Sequence, residues 1–144
     1  MVDKALLSRK LSRLRGYLTE MRQADDISWE KYETDVRAKA FVERYLHLAV
    51  EEVIDIANHL ISFHKWREPE GYRDVFIILN ENKVIPQKDL TNFQNMASFR
   101  NMLVHRYEKI DDEMVFGFFK KRLDDFDLYM TQIKNWVKQQ SGEE

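Results

Sequence analysis

The chain contains no cysteine, which excludes disulfides, cysteine-ligated zinc and thiol chemistry together. It has four glycines and two prolines in 144 residues, too few for the turns of a many-stranded β protein. No stretch approaches the ~18 apolar residues of a membrane helix, and the basic N-terminal segment has no apolar run like that of a secretory signal. A cytoplasmic protein without a membrane partner is expected. Neither sign of charge is in excess: the formal net charge is -2, which argues against a general nucleic-acid coat protein. Only locally is there a surplus. Lys4, Arg9, Lys10, Arg13, Arg15 and Arg22 outnumber Asp3 and Glu20 at the start of the chain.

What is present is helical periodicity. Leu7, Leu11, Leu14, Leu18 and Met21 alternate steps of four and three, which predicts a first amphipathic helix. A polar connection follows, over which Trp29 and Tyr32 are expected to fold back as a lid. Thr34 or Asp35 can cap a second helix that runs to His64 without glycine or proline. Its apolar face is traced through Val36, Ala40, Phe41, Tyr45, Leu48, Ala49, Val53, Ile56, Leu60 and Phe63, and this helix is expected to be the spine of the fold. Tyr72 to Leu79 forms a shorter helix, since no second strand exists for it to pair with as β structure. Pro86 opens a helix carrying Leu90, Phe93, Met96, Ala97 and Leu103. Asp111 and Asp112 cap the last, with Phe116, Phe119, Leu123, Phe126, Met130, Ile133 and Val137 in line. The pattern predicts an all-α, up-and-down antiparallel bundle of four longer helices plus a short one, as a single domain over residues 1–144 with 139–144 as a frayed tail.

The chemically dense stretch is Ser98 to Tyr107. At ~100° per residue, Asn101 and His105 share one helix face, Arg100, Val104 and Tyr107 share another, and Arg100 and His105 are ~140° apart. If Arg100 and His105 cooperate, either the helix ends near His105 or the arginine arm reaches round to an imidazole, including one from a second subunit. Together they suit RNA cleavage without a metal or other cofactor. A neutral imidazole can take the proton of a ribose 2′-hydroxyl, and a protonated one can return a proton to the leaving oxygen. A guanidinium keeps its charge and presents a fork of donors to phosphate oxygens. One chain supplies one such histidine in this stretch, and a symmetric dimer would supply two. On spacing alone, a basic group in a last turn also fits a helix-dipole cap or a solvated edge.

The run Arg100-Asn101-Met102-Leu103-Val104-His105-Arg106-Tyr107 resembles the Arg-x-x-x-x-His-x-Tyr motif of HEPN domains, specifically the HepT-like toxins of bacterial and archaeal toxin-antitoxin pairs. The resemblance extends over most of the chain. It takes in Glu43-Arg44, Ile54 to His59, Gly71 to Phe76, and the Ile110-Asp111 turn before an aromatic final helix. It implies a ribonuclease in which Arg100 and His105 are the catalytic pair, with Asn101 the polar residue that follows the arginine and is expected to orient His105. It also implies an RNA substrate and no DNA, a homodimer, and neutralisation by a minimal nucleotidyltransferase (MNT) antitoxin that adenylylates Tyr107. A non-catalytic HEPN helical module holding a nucleotidyltransferase or a nucleotide is the alternative, favoured by the balanced charge.

Glu51, Asp55 and His59 step along one helix like metal ligands, yet no Glu-x-x-His pair accompanies them, and no metal is expected. Asp55 and His59 are instead read as a polar seam facing the motif helix. With Arg44 and Arg106 they are candidates for the cleft and for RNA binding, although Arg44 equally fits an ion pair with Glu51 or Glu52. His47 and His64 show no partner pattern and read as partly exposed helix residues. The last helix's aromatics fit a core better than a base-stacking platform, with Phe118 and Trp136 off the main line as candidates to cover a subunit interface.

Overall fold

A computed structural model describes residues 3–105, 110–140 and 142. The helices are α1 (Lys4–Gln23), α2 (Trp29–Thr34), α3 (Val36–His64), α4 (Tyr72–Glu81), α5 (Gln87–Val104), α6 (Asp112–Lys121) and α7 (Leu123–Gln140), and there is no strand among the described residues. The all-α bundle and its four longer helices are as the periodicity predicts. The pattern predicts one short helix, and among the described residues there are three, because α2 forms in the first connection and the last helix divides at Arg122. Arg122 leaves helical geometry at φ -118° and ψ 7°. A one-residue break barely disturbs the three-four spacing on either side, so periodicity could not reveal it.

Short polar side chains start these helices where the sequence offers them. Asp3 accepts from the Leu6 N–H, Ser28 from Lys31, Asp35 from Arg37 and Ala38, and Asp111 from Met114, each satisfying donors that the first turn leaves unpaired. Pro86 precedes α5 as its N-cap residue. With so few glycines, lysines take the left-handed positions that end two helices: Lys65 at φ 56° after α3 and Lys83 at φ 63° after α4. The N–H groups of Trp66 and Val84 reach back to Ile61 and Leu79 to close both ends.

α3 is the spine, with α1, α2, α4, α5 and α6 all packed on it. α1 runs antiparallel to it, since Lys10 meets Asp55, Arg13 meets Glu52 and Tyr17 meets Tyr45. α5 and α7 are likewise antiparallel, with Asp89 on Gln132 and Phe93 on Tyr129. Being packed on several sides, α3 buries Ala38, Val42, Leu46 and Val50, which the single predicted stripe omitted. The same stripe began too early: Val36 is 82% exposed, and Ala40 and Phe63 are also exposed.

Phe76, Phe93 and Tyr129 meet in the core at centroid distances of 5.4 to 6.3 Å, and the buried Tyr129 hydroxyl donates to the Val53 carbonyl at 2.9 Å. Trp29 and Tyr32 do fold back onto the core, and Tyr32 becomes part of it rather than a lid over it: it is fully buried in α2, stacked on Trp29 with its hydroxyl on Glu43. Phe118 and Trp136 are buried within this chain, the first between Phe99 and Phe126 and the second against His64 and Trp66, so neither is left to cover a second subunit. None of the helices, among the described residues, is long and apolar enough to cross a membrane.

Candidate active site

Arg100 lies four residues before the end of α5, on the side facing α3. Its Nε donates to Glu51 Oε1 at 2.6 Å and its Nη1 to the Asn101 carboxamide oxygen at 3.2 Å. The guanidinium carbon sits 4.1 Å from the centroid of the Tyr72 ring, at the start of α4. Three groups from three helices therefore hold one side chain that is only 16% exposed. An aromatic face and a carboxylate are both favourable neighbours for a delocalised cation, and together they fix its plane.

His105 is the C-cap of α5, with φ -84° and ψ 71°, and its N–H donates to the Asn101 carbonyl at 3.0 Å. The helix thus ends at His105, which is one of the two conditions the angular argument set. The residue is exposed. The Asn101 carboxamide oxygen turns to Arg100, so on the described atoms Asn101 is tied to the guanidinium by its side chain and to His105 by its backbone. Arg106 and Tyr107, expected as cleft and modification residues, lie outside the described residues.

The remaining candidates separate. Four-residue steps advance ~40° round a helix, and along α3 that drift takes Glu51 to α5 while Asp55 pairs with Lys10 of α1. The seam expected to face the motif helix is therefore not drawn to Arg100 at Asp55. His59 follows a turn later, with its Nε2 buried and without a hydrogen-bond partner. Among the described residues no group of three His, Cys, Asp or Glu side chains could hold a metal ion. Arg44 is exposed and takes neither Glu51, which holds Arg100, nor Glu52, which faces Arg13 at 3.5 Å.

Sequence reasoning passed over two residues here. His47 has a partner after all: its Nε2 is 3.6 Å from Glu51 Oε1, the same oxygen that receives Arg100. Burial, followed by the charges of Arg100 and Arg44, holds this imidazole below the usual histidine range against the opposing pull of Glu51. The four-residue step from His47 to Glu51 was a readable signal. Tyr72 was not legible, because only the turn into α4 brings it beneath Arg100.

A family profile described as ribonuclease HepT-like matches residues 8–133. A tRNA nuclease HepT of Aphanizomenon flos-aquae is 25% identical over 136 residues, covering 94% of this chain and 92% of that protein. An mRNA nuclease HepT of Shewanella oneidensis is 33% identical over 89 residues, 62% of this chain and 67% of that protein. Among solved structures, the tri-AMPylated Shewanella oneidensis HEPN toxin in complex with MNT antitoxin superposes with a TM-score of 0.82 at 26% identity, covering 94% of this chain and 99% of that one.

Proposed function

This chain belongs to the HepT-like ribonuclease family, and on that premise we propose that it is the toxin of a toxin-antitoxin pair, an endoribonuclease that needs no metal and works through Arg100 and His105. Arg100 offers a fixed cationic fork to a phosphodiester and to the charge that grows on it during cleavage. His105, exposed at the end of α5, exchanges a proton with the ribose 2′-hydroxyl or with the leaving oxygen. Asn101 aligns the pair, its side chain on one partner and its backbone on the other.

The observation that carries this reading is the three-sided hold on Arg100, one turn before the exposed imidazole. Surface arginines are ordinarily left to move, because holding a long side chain still has an entropic cost. A guanidinium fixed against an aromatic face is suited to a ligand that demands one orientation.

The substrate is RNA, in keeping with relatives described as tRNA and mRNA nucleases. Its neutralising partner is an MNT-type nucleotidyltransferase, by analogy with the Shewanella complex, and the protein acts as a homodimer, the symmetric state in which the single histidine of the motif is doubled. That partner adenylylates Tyr107, two residues beyond His105, where added phosphates would bring negative charge and bulk to the place an RNA phosphate must occupy.

Purified protein should cleave RNA in the presence of a chelator, and His105→Ala should lower the rate by about a hundred-fold or more. An activity that disappears with chelator and survives His105→Ala would overturn the reading. Co-expression with a nucleotidyltransferase partner should raise the intact mass by whole adenylyl units, and Tyr107→Phe should prevent the increase.

A further inference from the structure

Most of the ordered arginines in this fold have their charge met inside the chain. Arg13, Arg22, Arg67, Arg100 and Arg122 each face a carboxylate. Arg73, in the first turn of α4, is held as firmly and faces none among the described residues. Its Nη1 donates to the Gln94 carbonyl at 3.2 Å and to Ser98 Oγ at 2.6 Å, both on α5. We propose that Arg73 binds a phosphate of the RNA strand beside the scissile one, and so sets how the strand lies along α5. This deepens the reading of Arg100 and His105 and rests on it.

The way the guanidinium is held is what fits it to a phosphate. Nη1 uses its two protons on neutral oxygens, which fix the side chain without cancelling its charge. The opposite edge, Nε with Nη2, is one that meets a carboxylate or phosphate with two parallel bonds. Arg67 shows that use: its Nε and Nη2 donate to the two oxygens of Glu81 at 3.0 and 3.2 Å. On Arg73 the same edge has no acceptor among the described residues, and the residue is exposed. The carboxylate next to it in sequence is committed elsewhere. Asp74 accepts from Arg67 at 2.7 and 2.9 Å and from the Glu70 N–H at 2.9 Å.

Its place in the fold relates Arg73 to the catalytic pair. Seven residues return almost to the same angle on a helix, so Ser98, which anchors Arg73, shares a ridge with His105, and both are exposed. Seven residues of rise put that anchor ~10.5 Å before His105, a span of about one to two nucleotides of strand. Tyr72, the neighbour of Arg73 in α4, lies under Arg100 at 4.1 Å, so one turn of α4 serves both cations. Arg100 is turned toward α3 and Arg73 toward the outer ridge of α5. A phosphate contact carries no base information, so Arg73 supplies affinity and register rather than sequence choice.

The test is binding of a 2′-O-methyl oligoribonucleotide, which has no 2′-hydroxyl to react, read by fluorescence anisotropy across a salt series. Arg73→Gln should weaken binding about tenfold, equally for probes of unrelated sequence. It should also lower the slope of log affinity against log salt by about 0.7, the share of one phosphate on a single strand. Arg73→Lys keeps the charge and loses the fork, and should keep the slope. A single uncharged methylphosphonate linkage, moved along the probe, should at one position weaken the wild type and leave Arg73→Gln unaffected. On a cleavable oligoribonucleotide with chelator present, Arg73→Gln should raise KM and hold kcat within about twofold.

An unchanged salt slope in Arg73→Gln, or methylphosphonate effects that are the same in both proteins at every linkage, would overturn the assignment and leave Arg100 and His105 standing. So would a changed oligomeric state of Arg73→Gln in sedimentation, which would make Arg73 an interface residue. A wild type that binds the probe through Arg73 and cleaves no RNA would overturn the nuclease reading and keep the phosphate contact. A wild type that neither binds nor cleaves would overturn both.

Discussion

Glu51→Gln probes the hold on Arg100 through stability as well as catalysis. The wild-type contact is a 2.6 Å charge-assisted hydrogen bond between a guanidinium 16% exposed and a carboxylate 44% exposed. Such bonds contribute about 1.5 to 3 kcal/mol, and the exposure of Glu51 puts this one near the lower end. Glutamine keeps the shape and still accepts a neutral hydrogen bond, so the change isolates the charge, at about 1 kcal/mol. Unfolding entropy near ~2.1 cal/mol/K per residue gives about 0.3 kcal/mol/K for a chain of 144 residues, and the expected loss in Tm is about 3 °C. Scanning calorimetry at low and high salt measures it, and the loss should shrink as salt screens the partly exposed pair. A double-mutant cycle with Arg100→Gln should give a coupling well above the ~0.5 kcal/mol scatter of independent sites. Additive losses would refute the argument, since the short contact would then hold nothing in place.

Three further outcomes are expected. Tyr129→Phe removes a buried hydroxyl from the Val53 carbonyl and should cost about 0.5 to 1.5 kcal/mol with the helical circular dichroism unchanged; an unshifted denaturant midpoint would refute it. Lys65→Gly relieves a lysine at φ 56° and should raise stability by about 1 kcal/mol, read from the same midpoint, with no gain if the left-handed cap carries no penalty. Burial raises the Glu52 carboxyl above its usual range, so the folded state binds its proton more readily than the unfolded state and this site's contribution to stability falls as pH rises through the carboxyl range. Glu52→Gln should therefore gain more stability at pH 7 than at about pH 4, and an equal gain at both would refute the sign.

Much of the fold was legible because helices announce themselves locally. The leucine ladder of α1, the Asp35 and Asp111 caps and the unbroken run to His64 reappear in the structure within a residue or two. The parts that were not legible depend on neighbours. A stripe drawn for one partner missed Val42 and Leu46, because α3 is packed on several sides. Phe118 and Trp136 looked peripheral by register and are buried because Phe99 of α5 and Phe126 of α7 close on the first and the segment after α3 closes on the second.

The candidate site divides in the same way. The identity and order of Arg100, Asn101 and His105 are written in the chain, and helix arithmetic let the two outer residues cooperate only if the helix ended near His105 or the arginine arm reached round to an imidazole. Sequence alone therefore determined the helical class, the motif and that condition, all of which follow from spacing along one segment. Only the tertiary structure decided which residues surround Arg100. Glu51, His47 and Tyr72 come from α3 and α4, and no periodicity within α5 encodes what packs against it. The angle of one helix on another does that, and it is set by the shapes of the side chains buried between them.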